Sequence, residues 1–338
     1  MNQIIRYFLL GCLLIVFFAC NQNNPKNENT LATLADSSAF ALKEIVNKIK
    51  SDPDNDKLYI ERADHYLAEG KVDSALRDIL FAIDINKQNP GHFNTLSDAY
   101  LALGNPDKCL DAIDKALQLD PANKDALLRK GRLLMIMRNY KECYQTIDQL
   151  LQIDRINPVA YFVKGYAQLE QGDTTNAIKN FLVAADQDQR YFDPYLQLGM
   201  LYSERKNPLA VEYLNTAITL RPMAIEPYYQ LALFFQENGN VKKAIITYES
   251  ILNIDPSHQF SLYNLGYIYL VYMEDFVKGS EYFTQVIELN PQYTEAYYNR
   301  GYCYELSGKA DLARKDYQKT LEISANYPKA VEGLNRLD

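Results

Sequence analysis

The residues able to do chemistry are few, and their spacing forms no familiar catalytic or metal-binding set. His65, His92 and His258 are the three histidines of the 338-residue chain, and none has the short spacing of a zinc site. Acidic pairs such as Asp111 and Asp114 fall on predicted solvated faces. The glycines form no phosphate-cradling loop. We therefore expect no enzymatic activity, no catalytic residues, no metal and no cofactor.

Cys20 is the one residue with a predicted chemical modification, because residues 1–19 have the layout of an export signal. Arg6 precedes an apolar run from Tyr7 to Ala19. As a helix this run covers roughly 20 Å, less than the ~30 Å hydrocarbon core, so a permanent membrane span is the weaker interpretation. The segment resembles a bacterial lipoprotein signal peptide, although Phe17 departs from the usual aliphatic residue. The resemblance implies that Cys20 becomes the lipid anchor, carrying acyl chains such as palmitate.

The residues after Cys20 predict a tether between this anchor and a folded domain. They are polar and rich in asparagine, which is typical of a flexible linker. We assign residues 20–36 to the lipidated cysteine and linker, and residues 37–55 to an N-terminal capping helix. The expected location is the bacterial cell envelope, with the folded part in the periplasm; which membrane holds the anchor stays open. An ordinary export signal whose cysteine is incidental is the alternative.

Most of the chain is a tandem repeat with a period of 34 residues. Eight copies span residues 56–327, the fifth one residue short and the seventh one residue long, and residues 328–338 are assigned to a C-terminal capping helix. The copies begin at Asp56, Pro90, Lys124, Pro158, Phe192, Ile225, Gln259 and Thr294.

The columns of this repeat predict two helices packed as a hairpin. Positions 8 and 20 are always small, as at Gly199 and Ala210 of the fifth copy, whereas positions 4 and 24 are mostly large, as at Tyr195 and Leu214. Small residues let two helices approach closely, and large ones fill the space beside them. Glycine at position 15 in five copies predicts a left-handed residue ending the first helix.

These motifs resemble the tetratricopeptide repeat, with tyrosine or phenylalanine at position 4 where that pattern has tryptophan. The resemblance implies an all-α fold, a right-handed α-solenoid of about eight helical hairpins with capping helices at both ends. Cys109 and Cys143 occupy the small position 20 of adjacent repeats, and Cys303 lies in the last repeat. We predict buried structural thiols for the first two and no disulfide between them, because equivalent points on stacked helices are too far apart.

The resemblance also implies a binding groove lined by the first helix of each repeat. In the last four repeats position 6 holds an amide, and the last three carry tyrosine at position 5. We predict that these residues contact an extended peptide, the amides bonding its backbone. The predicted groove residues are Gln197, Gln230, Asn264, Asn299, Tyr229, Tyr263, Tyr267, Tyr298 and Tyr302.

Charge narrows the class of partner. The formal net charge of -8 and the pI of about 5.1 exclude a general nucleic-acid binder, which needs a basic face. Glu226, Glu295 and Glu305 at the groove favour basic or neutral peptides. We predict a non-catalytic scaffold or adaptor that binds protein or peptide beside a membrane. The alternative is an accessory subunit of a secretion, assembly or cell-wall machine that docks a folded partner. The partner's identity and the oligomeric state stay open.

Overall fold

The computed structural model describes residues 28–338, with side chains from residue 40 onward, and this part of the chain forms 18 helices and no strand. The helices are α1 (Glu28–Ser51), α2 (Asp56–Ala68), α3 (Val72–Ile85), α4 (Pro90–Ala102), α5 (Pro106–Leu119), α6 (Lys124–Ile136), α7 (Tyr140–Ile153), α8 (Pro158–Glu170), α9 (Thr174–Gln187), α10 (Phe192–Glu204), α11 (Leu209–Leu220), α12 (Ile225–Glu237), α13 (Val241–Ile254), α14 (Gln259–Val271), α15 (Phe276–Leu289), α16 (Thr294–Leu306), α17 (Ala310–Ile323) and α18 (Pro328–Leu337).

Helices α2 to α17 form eight consecutive hairpins, and the first helix of each begins at the residue where a 34-residue repeat begins. The fold is an all-α repeat solenoid, as the sequence predicts. It divides into two compact units between Leu133 and Leu134, within α6. The first unit contains the hairpins α2–α3 and α4–α5, and the second contains everything after α6.

Each hairpin is held together by a small residue facing a large one. A Cβ atom placed on Gly199 of α10 would lie 2.6 Å from the side chain of Leu214 of α11, so the leucine would have to move to accommodate it. The residue at position 24 is fully buried in every repeat, from Ile79 in the first unit to Tyr317 in the second. The predicted alternation of small and large positions is thereby confirmed, and it allows the two helices of a hairpin to approach closely.

The turn inside each hairpin contains one residue with a positive φ angle. Glycine occupies that turn at Gly70 and Gly104 in the first unit. In the second unit three of the equivalent turns contain a residue with a side chain instead. They are Arg138 with φ 59°, Lys206 with φ 51° and Glu274 with φ 53°. These three positions hold a conformation that costs glycine little and other residues more.

The two ends of the described chain are covered by the single helices α1 and α18. Ile45 and Ile49 of α1 are buried against Tyr59 of α2, and Ala330 and Gly333 are the buried residues of α18. Such end helices remove apolar surface that a terminal repeat exposes.

Helix α1 begins earlier than the sequence analysis placed it. The linker was predicted to extend to residue 36, whereas the helix starts at Glu28. The reason is composition: the asparagine-rich stretch ends near residue 29, and leucine and alanine, which favour helix, follow at residues 31–35. The predicted signal peptide and Cys20 lie outside the described residues.

Candidate peptide-binding face

In the second unit, the first helices of the last three hairpins present tyrosines on one face. Positions 5 and 9 of a repeat are one helical turn apart and share a face. They hold Tyr263 and Tyr267 in α14, and Tyr298 and Tyr302 in α16. Helix α12 adds Tyr229 at position 5. All five tyrosines keep part of their surface exposed, as a contact surface for a partner requires.

Each tyrosine at position 5 packs against an aromatic ring at the end of its own repeat. All six rings are half-buried. The ring centroids are 5.6 Å apart in Tyr229–His258, 5.3 Å apart in Tyr263–Tyr293 and 5.3 Å apart in Tyr298–Tyr327. We call these three ring pairs the aromatic face. Each of the last three hairpins contributes one ring pair, and hence one flat apolar area, to this face.

The second member of each ring pair is absent from the predicted groove residues, all of which lie within first helices. It occupies the last position of the repeat, just before the next first helix. A change in that column was visible in the sequence. The column holds Asn89, Asn123 and Asn157 at the ends of the first three repeats, and Tyr191, Ala224, His258, Tyr293 and Tyr327 at the ends of the last five.

The amides next to these tyrosines are partly engaged within the protein. Asn264 donates from Nδ2 to the hydroxyl oxygens of Tyr229 at 3.3 Å and of Tyr248 at 3.0 Å. Asn299, which is buried, donates from Nδ2 to the hydroxyl of Tyr263 at 2.9 Å. In both cases the asparagine of one repeat holds the tyrosine ring of the repeat before it. These two amides therefore hold the rings of the aromatic face through their Nδ2 groups.

The two glutamines of the predicted amide row differ because the preceding repeat offers no hydroxyl. Position 5 of that repeat is Leu196 for Gln230 and Phe162 for Gln197. Gln230 instead donates to Glu226 at 2.7 Å on its own helix, and Gln197 is half-buried on α10. The four amides are therefore not equivalent, and their contact with a peptide backbone stays a prediction.

Burial sets the protonation of the aromatic face. It raises the pKa of Tyr229, Tyr263 and Tyr298 above the ordinary tyrosine value, so all three hydroxyls keep their protons at neutral pH. A phenol that accepts a hydrogen bond from an amide still has its own proton to donate. Burial also lowers the pKa of His258, which favours the neutral imidazole. The face is thus uncharged and offers hydroxyl donors.

Acidic groups surround this uncharged face. Glu226 on α12 and Glu295 on α16 are exposed. Glu305 is different, because Arg336 of α18 donates to it from two nitrogens at 2.6 and 2.9 Å and lowers the pKa of its carboxyl group. Arg336 also lies 5.8 Å from the centre of the Tyr302 ring. The negative charge available to a partner is therefore that of Glu226 and Glu295, and Glu305 belongs to the C-terminal cap.

The equivalent face of the first unit is polar. Asn94 of α4 is buried and donates to Asn123 at 3.2 Å. One turn further along α4, Asp98 forms an ion pair with Arg129 of α6. Burial raises the pKa of Asp98 despite this pair. No aromatic pair stands at the matching positions of the two hairpins in this unit, which hold Ile60 with Asn89 and Asn94 with Asn123.

The cysteines in the described part of the chain are buried free thiols, as predicted for Cys109 and Cys143. Burial raises the pKa of both to about 11 and that of Cys303 to about 12, so all three are protonated and unreactive at neutral pH. No group of three or more His, Cys, Asp or Glu among the described residues is placed to hold a metal ion. None of the described helices is long and apolar enough to cross a membrane.

Family models described as tetratricopeptide repeat match residues 91–133, 225–258, 261–293 and 282–315. The chain contains tetratricopeptide repeats. The last three matched segments cover α12 to α16, the helices that position most of the aromatic face. Tetratricopeptide repeat proteins are protein-interaction scaffolds, and this repeat fold is typical of non-catalytic binding proteins.

Solved structures show the same fold. The C-terminal part of a TPR repeat-containing protein from Cytophaga hutchinsonii aligns with a TM-score of 0.62 at 18% identity, covering 71% of this chain and 99% of that one. A tetratricopeptide repeat protein from Parabacteroides merdae aligns with a TM-score of 0.50 at 14% identity, covering 74% of this chain and 99% of that one. In sequence, the chain is 29% identical over 116 residues to the Photosystem I assembly protein Ycf3 of Acaryochloris marina, which is 29% of this chain and 69% of that protein.

Proposed function

We propose that the protein is a non-catalytic adaptor that binds a polypeptide on its aromatic face while a lipid on Cys20 holds it at a bacterial membrane. The observation that carries the binding proposal is the set of three half-exposed ring pairs in consecutive hairpins. Contiguous apolar surface of this kind on a soluble protein often marks an interaction site. Aromatic side chains supply large contact area at low entropic cost and dominate binding energies at protein interfaces.

The hydrogen bonds behind the rings favour binding because they fix the surface in advance. Tyr229 and Tyr263 are each held by an asparagine of the following repeat. Tyr248, fully buried, accepts from Asn264 and donates to Gln236 at 3.0 Å, which anchors this network in the core. A surface that is rigid before binding loses less conformational entropy when the partner arrives.

The test is capture of partners by the full-length protein in bacterial membranes, using a crosslinker and mass spectrometry. Tyr263→Ala combined with Tyr298→Ala is expected to lower recovery of crosslinked partners about tenfold or more. Phe81→Ala is the matched control, because this aromatic residue is 48% exposed, lies in the first unit and belongs to no ring pair of the aromatic face. Circular dichroism must show unchanged helix content in both variants. Equal recovery from the double variant and the control contradicts binding on this face.

The membrane part of the proposal is tested separately. Its support is the resemblance of residues 1–20 to a lipoprotein signal peptide, and on the same ground we propose that the repeats lie in the periplasm. Cys20→Ala is expected to release the protein into the soluble fraction or leave it as an unprocessed precursor. Membrane-bound protein of mature size from this variant contradicts the lipid anchor.

A second candidate is an accessory subunit of an envelope machine that docks one folded partner. One surface favours it: Val271, Tyr272 and Met273, between α14 and α15, are 45%, 48% and 45% exposed. The relative named as an assembly protein is consistent with such a role. Crosslinks from this turn to a single stoichiometric partner support the second candidate, whereas crosslinks from the aromatic face to several polypeptides support the first.

A further inference from the structure

We propose that the segment bound on the aromatic face is proline-rich and basic, and that it lies across the first helices in the polyproline II conformation. This inference rests on the proposed function, because it names the class of polypeptide that the same face binds. Three properties of the face lead to it: the period of the ring pairs, the kind of hydrogen-bonding group they present, and the charge around them.

One turn of polyproline II is close to the general spacing of packed helices. The pairs recur once per hairpin, and neighbouring pairs are linked by direct hydrogen bonds from Asn264 to Tyr229 and from Asn299 to Tyr263. Packed helices are about 8–10 Å apart. A polyproline II chain advances about 9.3 Å in three residues. Every third residue of such a chain therefore meets a new ring pair, whereas an extended strand, with side chains on one face about 6.8 Å apart, falls out of phase.

The hydrogen-bonding groups of the face match a chain that lacks N–H groups. Tyr229 and Tyr263 accept hydrogen bonds from asparagines and keep their own protons to donate. A proline has a carbonyl acceptor and no backbone donor. An ordinary extended peptide also brings one N–H per residue, which needs an acceptor, whereas these phenol oxygens already accept from asparagines and offer their protons as donors. Hydroxyl donors beside apolar rings suit the carbonyls and rings of prolines.

The charge of the face selects the residues between the prolines. Glu226 and Glu295 are exposed carboxylates on α12 and α16, on either side of the central pair Tyr263–Tyr293. The nearby arginine, Arg336, is already paired with Glu305. A ligand with lysine or arginine at its intervening positions therefore meets uncompensated negative charge, and these cations also interact favourably with tyrosine faces.

Rigidity gives the same ligand an entropic advantage. The ring pairs are held by hydrogen bonds, and a proline-rich segment is already ordered before it binds. Neither partner then loses much freedom on association, which raises affinity for a given contact area. A flexible segment of equal charge lacks this advantage.

The experiment measures fluorescence anisotropy of four labelled peptides with the full-length protein in detergent. The peptides are acetylated and amidated twelve-residue repeats of Pro-Pro-Lys, Gly-Ser-Lys, Thr-Val-Lys and Pro-Pro-Glu. We expect the Pro-Pro-Lys peptide to bind about tenfold or more tightly than each of the other three. Tyr293→Ala, which removes one ring of the central pair, is expected to weaken that binding about tenfold. Phe81→Ala, the matched control, is expected to leave it unchanged.

The outcomes separate this inference from the proposed function. Equal binding of Pro-Pro-Lys and Gly-Ser-Lys peptides, both sensitive to Tyr293→Ala, overturns the proline-rich inference and leaves peptide binding on this face intact. Tighter binding of the Thr-Val-Lys peptide overturns it in favour of an extended strand. Loss of partner crosslinking in the tyrosine variants with no binding of any peptide also overturns the inference alone. No binding and no change in crosslinking contradict both proposals.

Discussion

The two units use the same pair of repeat positions in opposite ways. In the first unit, positions 5 and 34 of the second repeat are Asn94 and Asn123, joined by a hydrogen bond of 3.2 Å. In the second unit the same positions of the seventh repeat are Tyr263 and Tyr293, with ring centroids 5.3 Å apart. One pair is a buried polar contact inside the scaffold, and the other is a half-exposed apolar surface.

This difference separates stability from binding at a single position of the repeat. Asn123 accepts a hydrogen bond from the amide of Ala126 at 2.9 Å and so caps α6. Tyr293 makes no side-chain cap for α16. A good N-cap is worth about 1 kcal/mol. At Tyr293 the second unit thus presents a ring without a helix cap, as expected if a partner, rather than the fold, uses that ring, whereas the ring of His258 also caps α14.

The largest expected effect is the loss of stability from Asn123→Ala. The substitution removes the cap of α6 and leaves the buried Nδ2 of Asn94 without its acceptor. Together these losses are expected to destabilise the first unit by roughly 2–4 kcal/mol. The measurement is hydrogen–deuterium exchange of amides in α4 and α5, which should become faster, while peptide binding on the aromatic face stays unchanged.

Asn157→Ala is the matched control for that variant. Asn157 caps α8 in the same way, through the amide of Ala160 at 2.9 Å, but position 5 of its repeat is Leu128 and offers no amide. It is expected to cost only the cap, about 1 kcal/mol. Equal destabilisation by the two alanine variants would show that the bond between Asn94 and Asn123 contributes nothing.

The second largest effect is expected for Tyr293→Ala, which should change partner binding rather than stability. Tyr293→Ala should weaken partner binding about tenfold and change the free energy of unfolding by only about 1 kcal/mol. The chain itself shows that alanine is tolerated there, because Ala224 occupies the same position in the fifth repeat. Isothermal titration with the captured partner and urea denaturation measure the two quantities. A stability loss as large as that of Asn123→Ala would remove the contrast between the units.

The sequence predicts the hairpins well because their physics is local and repeated. Small residues such as Gly199 opposite large ones such as Leu214 recur in every copy, and the period alone locates each first helix. Whether the side-chain amides of Asn264 and Asn299 are hydrogen-bonded within the protein could not be predicted from their repeat position alone. Whether an amide is open or engaged depends on a residue one repeat earlier, tyrosine for these two and leucine for Gln230. That dependence crosses 35 or 36 residues and appears only when the two helices are side by side.

Lowering the pH should increase the difference in stability between the two units, because the second unit contains the half-buried His258. Burial lowers the pKa of His258, so the unfolded chain takes up this proton first as the pH falls below the ordinary value of 6.5. The second unit therefore loses stability between pH 7.5 and 5.5. In His258→Asn, which keeps a side-chain cap for α14, this loss should be smaller; urea denaturation at both pH values measures it. In the first unit burial raises the pKa of Asp64 and Asp98, so protonation of these two carboxyl groups favours the native state. An unchanged pH dependence in the variant would contradict the assignment to His258.

The smallest expected effect is on the turns within the hairpins. The first unit has glycine at both of its positive-φ positions, whereas three of these positions in the second unit hold a residue with a side chain. Lys206 has φ 51°, and a side chain in this conformation costs roughly 1–2 kcal/mol. Lys206→Gly removes that cost but adds freedom to the unfolded chain, worth about 0.4–1 kcal/mol in the other direction. The net expectation is a gain of about 0.5 kcal/mol, seen as a rise in melting temperature. Gly104→Ala is the reverse experiment in the first unit, where a Cβ meets no atom within 4 Å, so its expected loss of about 1 kcal/mol comes from the backbone alone. A fall in melting temperature for Lys206→Gly would show that the lysine side chain stabilises its turn by more than the strained backbone costs.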